Sequence, residues 1–287
     1  KDRGKNKFRG ETRQEFRRPA NPKVLATFAT TVSRCYFSRD PKLRSREEFR
    51  FMTSTAAQPS SEKIPLPPPL RTGDRLNRSE FERRYEAMSD VKAELVEGVV
   101  YVMSSPVSSE RHGAPHAKLI GWLTMYESRT QGTQTADNST VRLDWDNEPQ
   151  PDALLRVLEP YGGQSRLQDG YVTAAPELVA EIAASTASYD LHDKLNAYRR
   201  NGVREYIVWR VEDRAVDWFI LRDGRYEALP RSQEGCYRSV AFPGLWLDAE
   251  ALVAGDLGRV MDILQQGIAS DEHADFCRVL QSRKQSG

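Results

Sequence analysis

Apolar and polar positions change period several times along this chain, and each change marks an element. Asn77 and Ser79 both suit a helix N-cap, and Phe81 and Tyr85 stand about one turn apart, so a short helix is predicted there. The stretch 93–103, AELVEGVVYVM, holds two apolar runs about Glu97-Gly98 and reads as a hairpin. Pro115 suits a first helical turn, where its missing N–H costs nothing; Leu119, Leu123 and Tyr126 extend that helix over 116–130. Strands are expected over 139–144 and over 152–155. The segment 178–183, LVAEIA, is short, apolar and bounded by loops, as a strand covered on both faces should be. A helix over 190–200 follows and stops at Asn201-Gly202. Two aromatic-rich strands, EYIVWRV and AVDWFIL, are joined by Glu212-Asp213-Arg214, and Asp223-Gly224 turns the chain into a further strand. FPGLWLD closes the sheet region, and Leu257, Val260, Met261 and Leu264 then fall at helical spacing. This order predicts a mixed α/β fold, a central sheet flanked by helices.

Charge divides the chain. Residues 1–51 carry 15 Lys and Arg against 6 Asp and Glu, while the remainder carries 27 against 35. A basic tail can bind nucleic acid, but this one lacks the apolar residues to build a core and reads as a disordered extension. The first methionine is Met52, and a start there would remove the whole basic excess, so the alternative to a disordered extension is that residues before it are not part of the natural product. The Pro-rich stretch 60–74 reads as an extended arm. The expected organisation is an extension over 1–75, a catalytic-type domain over 76–248 and a helical tail over 249–287. With 39% hydrophobic and 29% charged residues, a globular body is expected. No run of about 18 apolar residues appears, which argues against a membrane span. Cys35, Cys236 and Cys277 are scattered and odd in number, which argues against a disulfide framework and for a reducing, cytoplasmic setting.

Three residues carry candidate chemistry. Glu181 stands inside an otherwise apolar strand, where a carboxylate costs several kcal/mol unless a cation or hydrogen-bond donors meet it. Asp152 opens a second strand. Lys194 lies on the helix after Glu181, on the face shared by Leu191, Leu195 and Tyr198 at i, i+3, i+4 and i+7 spacing, so its ammonium is expected to reach back toward Glu181. Two carboxylates suit Mg²⁺ or Mn²⁺, and a nearby amine can orient a metal-bound water and stabilise charge on a phosphate. On spacing alone this is a weak signal, and a purely structural acid–lysine pair is the favoured reading.

The segments ELVEGVVYVMSSP, QPDALL, GYVTAAPELVAEIAAST, DLHDKLNAYRRNGVREYIVW, LRDGRYE and FPGLWLD together resemble the Uma-type family of restriction endonucleases, within the PD-(D/E)XK nuclease superfamily, over about residues 93–248. The resemblance implies a restriction-endonuclease-like central sheet flanked by helices and metal-dependent cleavage of nucleic acid, with DNA as the expected substrate. It implies that Asp152 and Glu181 are the two metal-binding acids. The superfamily's usual lysine place, two residues after the second acid, holds Ala183 here, and Lys194 is expected to substitute. Glu94 matches an early family acid able to reach the metal through water, and Ser185 and Tyr198 match family positions in supporting roles. The competing function is a nucleic-acid- or protein-binding module that keeps the fold without catalysis. A homodimer is a further expectation, with the tail from Ala249 as its contact.

Other features are assigned bland roles. His112 and His116 have ligand-like spacing, but Gly113 and Pro115 intervene, so loop and first-turn packing is expected of them. Asp190 is expected to cap a helix or pair with Lys194, and His192 to face solvent. Trp209 and Trp218 are expected to pack across neighbouring strands. Arg199, Arg200 and Arg204 suit a helix C-terminus whether or not they meet phosphate.

Overall fold

The computed structural model describes residues 66–88, 91–103, 107–184 and 189–286, all within one compact unit, Glu62–Gly287. The basic segment and the Pro-rich arm up to Pro65 lie outside the described residues.

Asn77 caps helix α1 (Arg78–Tyr85) by accepting from Glu80 N at 3.0 Å, and Phe81 is buried beneath it. Strands β1 (Lys92–Val96) and β2 (Val99–Met103) pair antiparallel about Glu97 and Gly98. Both turn residues have positive φ, 54° and 72°, as the two-residue turn of a hairpin requires. The hairpin is a sheet of its own, packed with Leu70 and Phe81 through Ala93, Leu95 and Val100.

Helix α2 (Ala114–Glu127) has Pro115 in its first turn and buries Leu119, Trp122, Leu123 and Tyr126. The next strand, β3 (Thr133–Asp137), is absent from the sequence reading. Its residues, TQTAD, carry no apolar alternation because β3 is an edge strand, paired only with β5. The strand expected over 139–144 contracts to β4 (Val141–Arg142) and leaves the central sheet. Strand β5 (Ala153–Val157) begins one residue after Asp152, and all five of its residues are buried. The unforeseen hairpin of β6 (Arg166–Gln168) and β7 (Tyr171–Thr173) joins β4 in a small three-stranded sheet.

Strand β8 (Leu178–Ala183) is buried at every residue, the pattern its apolar run predicts. Helix α3 (Leu195–Asn201) ends at Gly202, whose φ of 84° forms the left-handed cap. Strands β9 (Glu205–Arg210), β10 (Ala215–Arg222) and β11 (Arg225–Ala228) complete a six-stranded central sheet in the order β11-β10-β9-β8-β5-β3. All its pairings are antiparallel except β8 with β9, whose connection contains α3. FPGLWLD does not close this sheet. It supplies β13 (Trp246–Leu247), which pairs with β12 (Tyr237–Arg238) as a separate ribbon. Pro243 and Gly244 interrupt extended pairing there, while Leu245 and Leu247 still reach the core.

Alternation along the strands divides the interior. One face sets Ala153, Leu155, Ala180, Ile207 and Trp209 against α2. The other sets Leu154, Val179, Tyr206 and Val208 against Tyr198 of α3. Trp209 and Trp218 are both buried, with Trp218 edge-on to Trp122 at 5.9 Å. The C-terminal helices α4 (Ala249–Ala254), α5 (Leu257–Ile268) and α6 (Asp271–Ser286) bring Leu252, Val260, Leu264 and Leu280 into the first of these cores. Leu257 is an exception to its helical series and remains 38% exposed. Among the described residues no helix is long and apolar enough to cross a membrane.

Candidate active site

The central sheet brings Asp152 and Glu181 together. Strands β5 and β8 pair with Ala153 opposite Ala180, so the residues just beyond that pair, Asp152 and Glu181, are neighbours across the ladder. Asp152 Oδ2 accepts from Ile182 N at 2.7 Å, and Asp152 N makes a long contact of 3.4 Å to Glu181 Oε2. Both carboxylates are thus fixed by the backbone of the other strand.

Lys194 arrives from a different element. It ends a π-helical turn, Asp190–Lys194, that precedes α3. The buried face is rotated from the one expected: Asp190, Lys194, Ala197 and Tyr198 are buried, whereas Leu191 and Leu195 are only partly covered. Lys194 Nζ donates to Glu181 Oε1 at 2.9 Å, lies 3.0 Å from Glu94 Oε2 and 3.9 Å from Asp190 Oδ1. Glu94 reaches this point from β1, where Gln150 N donates to its Oε1 at 3.1 Å. Tyr198 donates its hydroxyl to Glu181 Oε1 at 2.8 Å. The hairpin is therefore tied to the central sheet through a buried carboxylate–ammonium contact.

Electrostatics follow from this crowding. Burial pushes Glu181 up to about 8; Lys194 opposes the rise, and Asp152, Asp190 and Glu94 add to it. Burial alone would depress Lys194, but Glu181, Glu94 and Asp190 outweigh it and hold the ammonium well above its usual range. Burial likewise raises the Tyr198 hydroxyl well above its usual range, so it serves as a hydrogen-bond donor. The two main directions express one fact: among the described residues, the buried Lys194 ammonium meets the buried carboxyl groups of Glu181 and Glu94 at 2.9 and 3.0 Å.

A second π-helical turn, Ser109–Gly113, leads into α2 and carries a residue assigned only a packing role from the sequence. His112 Nε2 lies 3.4 Å from Asp152 Oδ1. His116 Nε2 lies 2.7 Å from Asp152 O and 3.0 Å from Asp137 Oδ1. The His pair thus borders the acid site. The sequence did contain a signal, the i, i+4 spacing, but Gly113 and Pro115 made it look broken. A groove of about 580 Å³ runs from Gly113 and His116 along α2 to Met125, with Asp137 on its border. Among the other weighed residues, Arg199 donates to Gly224 O, Arg200 pairs with Glu97, and Arg204 donates to Gln164. His192 is exposed. Ser185 lies outside the described residues.

The donor set fits a hydrated divalent ion. Among the described residues, Glu181 Oε1 is engaged by Lys194 and Tyr198, and Asp152 Oδ2 by Ile182 N, whereas Glu181 Oε2 and Asp152 Oδ1 make long contacts of 3.4 Å. Mg²⁺ keeps several waters and takes one or two carboxylates, so two oxygens of this kind suffice. No cage of three or more His, Cys, Asp or Glu ligands is formed among the described residues.

Comparison with known proteins adds three findings. The family model described as "Uma2: Putative restriction endonuclease" matches residues 78–250, more than half of the chain. No curated protein matches. A solved structure from Anabaena variabilis, titled a "putative nuclease belonging to DUF820", aligns with 59% of this chain and 97% of its own, at 11% identity and a TM-score of 0.43.

Proposed function

The chain belongs to the Uma2 "Putative restriction endonuclease" family, and from that footing we propose that it hydrolyses phosphodiester bonds in DNA with a divalent metal ion held by Asp152 and Glu181. The observation that carries the reading is that two buried carboxyl groups, Asp152 and Glu181, face each other at the end of the β5–β8 ladder. Carboxyl groups withdrawn from water need protons or cations, and a phosphodiesterase gains a reaction centre from the cation.

The ion supplies a water of lowered pKa and neutralises phosphate charge. The chain's own residues do the rest. Asp152 is held by Ile182 N and Glu181 by Tyr198, so the lightly engaged oxygen of each acid is presented from a fixed backbone. Lys194 orients the attacking water and stabilises charge developing on the phosphate. Glu94, 3.0 Å from Nζ, keeps that ammonium protonated and in place. The water oxygen bonds to phosphorus as the water gives up a proton to solvent, the ester P–O bond breaks, and the leaving oxygen takes up a proton from solvent.

The test incubates the full chain with plasmid, single-stranded DNA and RNA, with Mg²⁺ or Mn²⁺ and then with chelator. Asp152→Asn and Glu181→Gln are run beside it. Metal-dependent DNA cleavage is expected, and each substitution should lower the rate by about a hundredfold or more, roughly 2.7 kcal/mol of barrier. Cleavage that survives both substitutions, or that ignores chelator, overturns the site. Preference for RNA overturns the substrate alone. Metal-independent binding without cleavage replaces the proposal with a binding module, a reading favoured by Lys194 being already engaged by two carboxylates.

A further inference from the structure

Resting on the reading above that the Asp152 carboxylate serves the reaction, we infer that His116 is the positioning residue that fixes it. Asp152 stands one residue outside regular pairing. The ladder of β5 with β3 ends at Ala153 opposite Asp137, and that with β8 ends at Ala153 opposite Ala180. Pro151 precedes Asp152 and has no N–H to offer a neighbouring strand. The backbone that carries the carboxylate therefore needs a hold other than the sheet.

His116 supplies that hold. Its Nε2 lies 2.7 Å from Asp152 O and 3.0 Å from Asp137 Oδ1. Both partners only accept, so Nε2 carries a proton and donates to them. A second donor to Asp152 O, Asn138 N, is longer at 3.2 Å. Asn138 is exposed and turns the chain out of β3 with a φ of 45°. The His116 side chain is only 14% exposed, so water competes less for its bond. One ring, rooted in the first turn of α2, thus joins the end of β3 to the start of β5.

The consequence reaches the carboxylate. Asp152 is gripped at two points, its carbonyl by His116 and its Oδ2 by Ile182 N at 2.7 Å. Rotation of the Asp152 peptide would swing Cβ and draw Oδ2 away from Ile182 N. His112 lies nearly parallel to the His116 ring, 16° apart with centroids at 5.5 Å, and backs its orientation. Reacting groups must be held to about 0.5 Å, a tolerance that a strand end without ladder bonds does not meet unaided.

The test compares the full chain with His116→Leu, which keeps bulk but has no donor, and His116→Gln, whose amide donates. Residue-resolved amide hydrogen exchange without added ion reads the Ile182 N–H that grips Asp152. His116→Leu should speed exchange at Ile182 about tenfold relative to Val179 and Val208 in the same sheet. His116→Gln should return it close to wild type. Calorimetry with Mn²⁺ alone should give a Kd about tenfold higher in His116→Leu, recovered in His116→Gln. With DNA, the loss should fall on kcat and leave KM nearly unchanged. Exchange that does not rise, or that rises equally at all three amides, overturns the positioning role and leaves His116 as packing. A loss that His116→Gln fails to recover overturns it too, as does local loosening with Kd and kcat both unmoved. Wild type that neither binds Mn²⁺ nor cleaves DNA overturns the metal reading, and the exchange comparison then decides separately whether His116 fixes Asp152.

Discussion

Lys194 is the residue on which the buried site balances. It sits between Glu181 and Glu94 at 2.9 and 3.0 Å, all three almost inaccessible to water. Breaking a buried ion pair by removing one partner leaves uncompensated charge, typically at about 3–5 kcal/mol. Lys194→Met should therefore destabilise the fold by about that amount in urea denaturation. Adding Glu181→Gln should recover part of the loss, since it removes one of the stranded acids. Additive losses in the double variant would show that the two side chains are not coupled. Glu181 and Lys194 were legible in the sequence because an acid in an apolar strand is an anomaly, and the following helix is short enough to bring its amine back. His112 was noticed only by its i, i+4 spacing to His116, and its place beside Asp152 was not legible because it depends on how the turn before α2 meets the end of β5.

At the scale of elements, α5 lies unusually close to the loop before β13. A Cβ added at Gly267 would overlap Gly244 O and come within 2.8 Å of Trp246 Cγ. Backbone is on the other side of that contact, so the helix must move as a body. Gly267→Ala should lower stability by about 1–3 kcal/mol despite alanine's better helix propensity, measured by thermal melting; an unchanged or raised Tm would refute the close packing. Hairpins were the most legible elements, since Glu97-Gly98 and Asp223-Gly224 supply the positive φ values their turns need. Asp169-Gly170 gives the same signal between β6 and β7 and went unread because its flanking strands are only three residues each. β3 was missed for a different reason. An edge strand needs no apolar face of its own when its neighbour β5 is already covered.

The whole molecule registers its buried charge as a dependence of stability on pH. Burial raises Glu148 from 4.5 to about 8, reinforced by Glu82 and opposed by Arg142 and Arg78. Between those two values the folded protein keeps a proton that the unfolded chain has released. The contribution is present in full below 4.5 and is lost as pH rises toward 8. Glu148→Gln should thus melt increasingly higher than wild type as pH goes from 5 to 8, by about 2–4 °C for each kcal/mol recovered; a difference independent of pH would refute the shift. The sequence by itself determined local terms: the turns at Glu97-Gly98 and Asp223-Gly224, the fully buried β8, and the presence of an acid inside an apolar strand. Those depend on neighbours a few residues away, through backbone preference and the period of apolar side chains. Only the tertiary structure decided which strands share the central sheet, that β1 delivers Glu94 to Lys194, and that His112 stands beside Asp152. Those juxtapositions join residues from 40 to 100 positions apart, where no periodicity reaches and only packing of one element on another sets the distance.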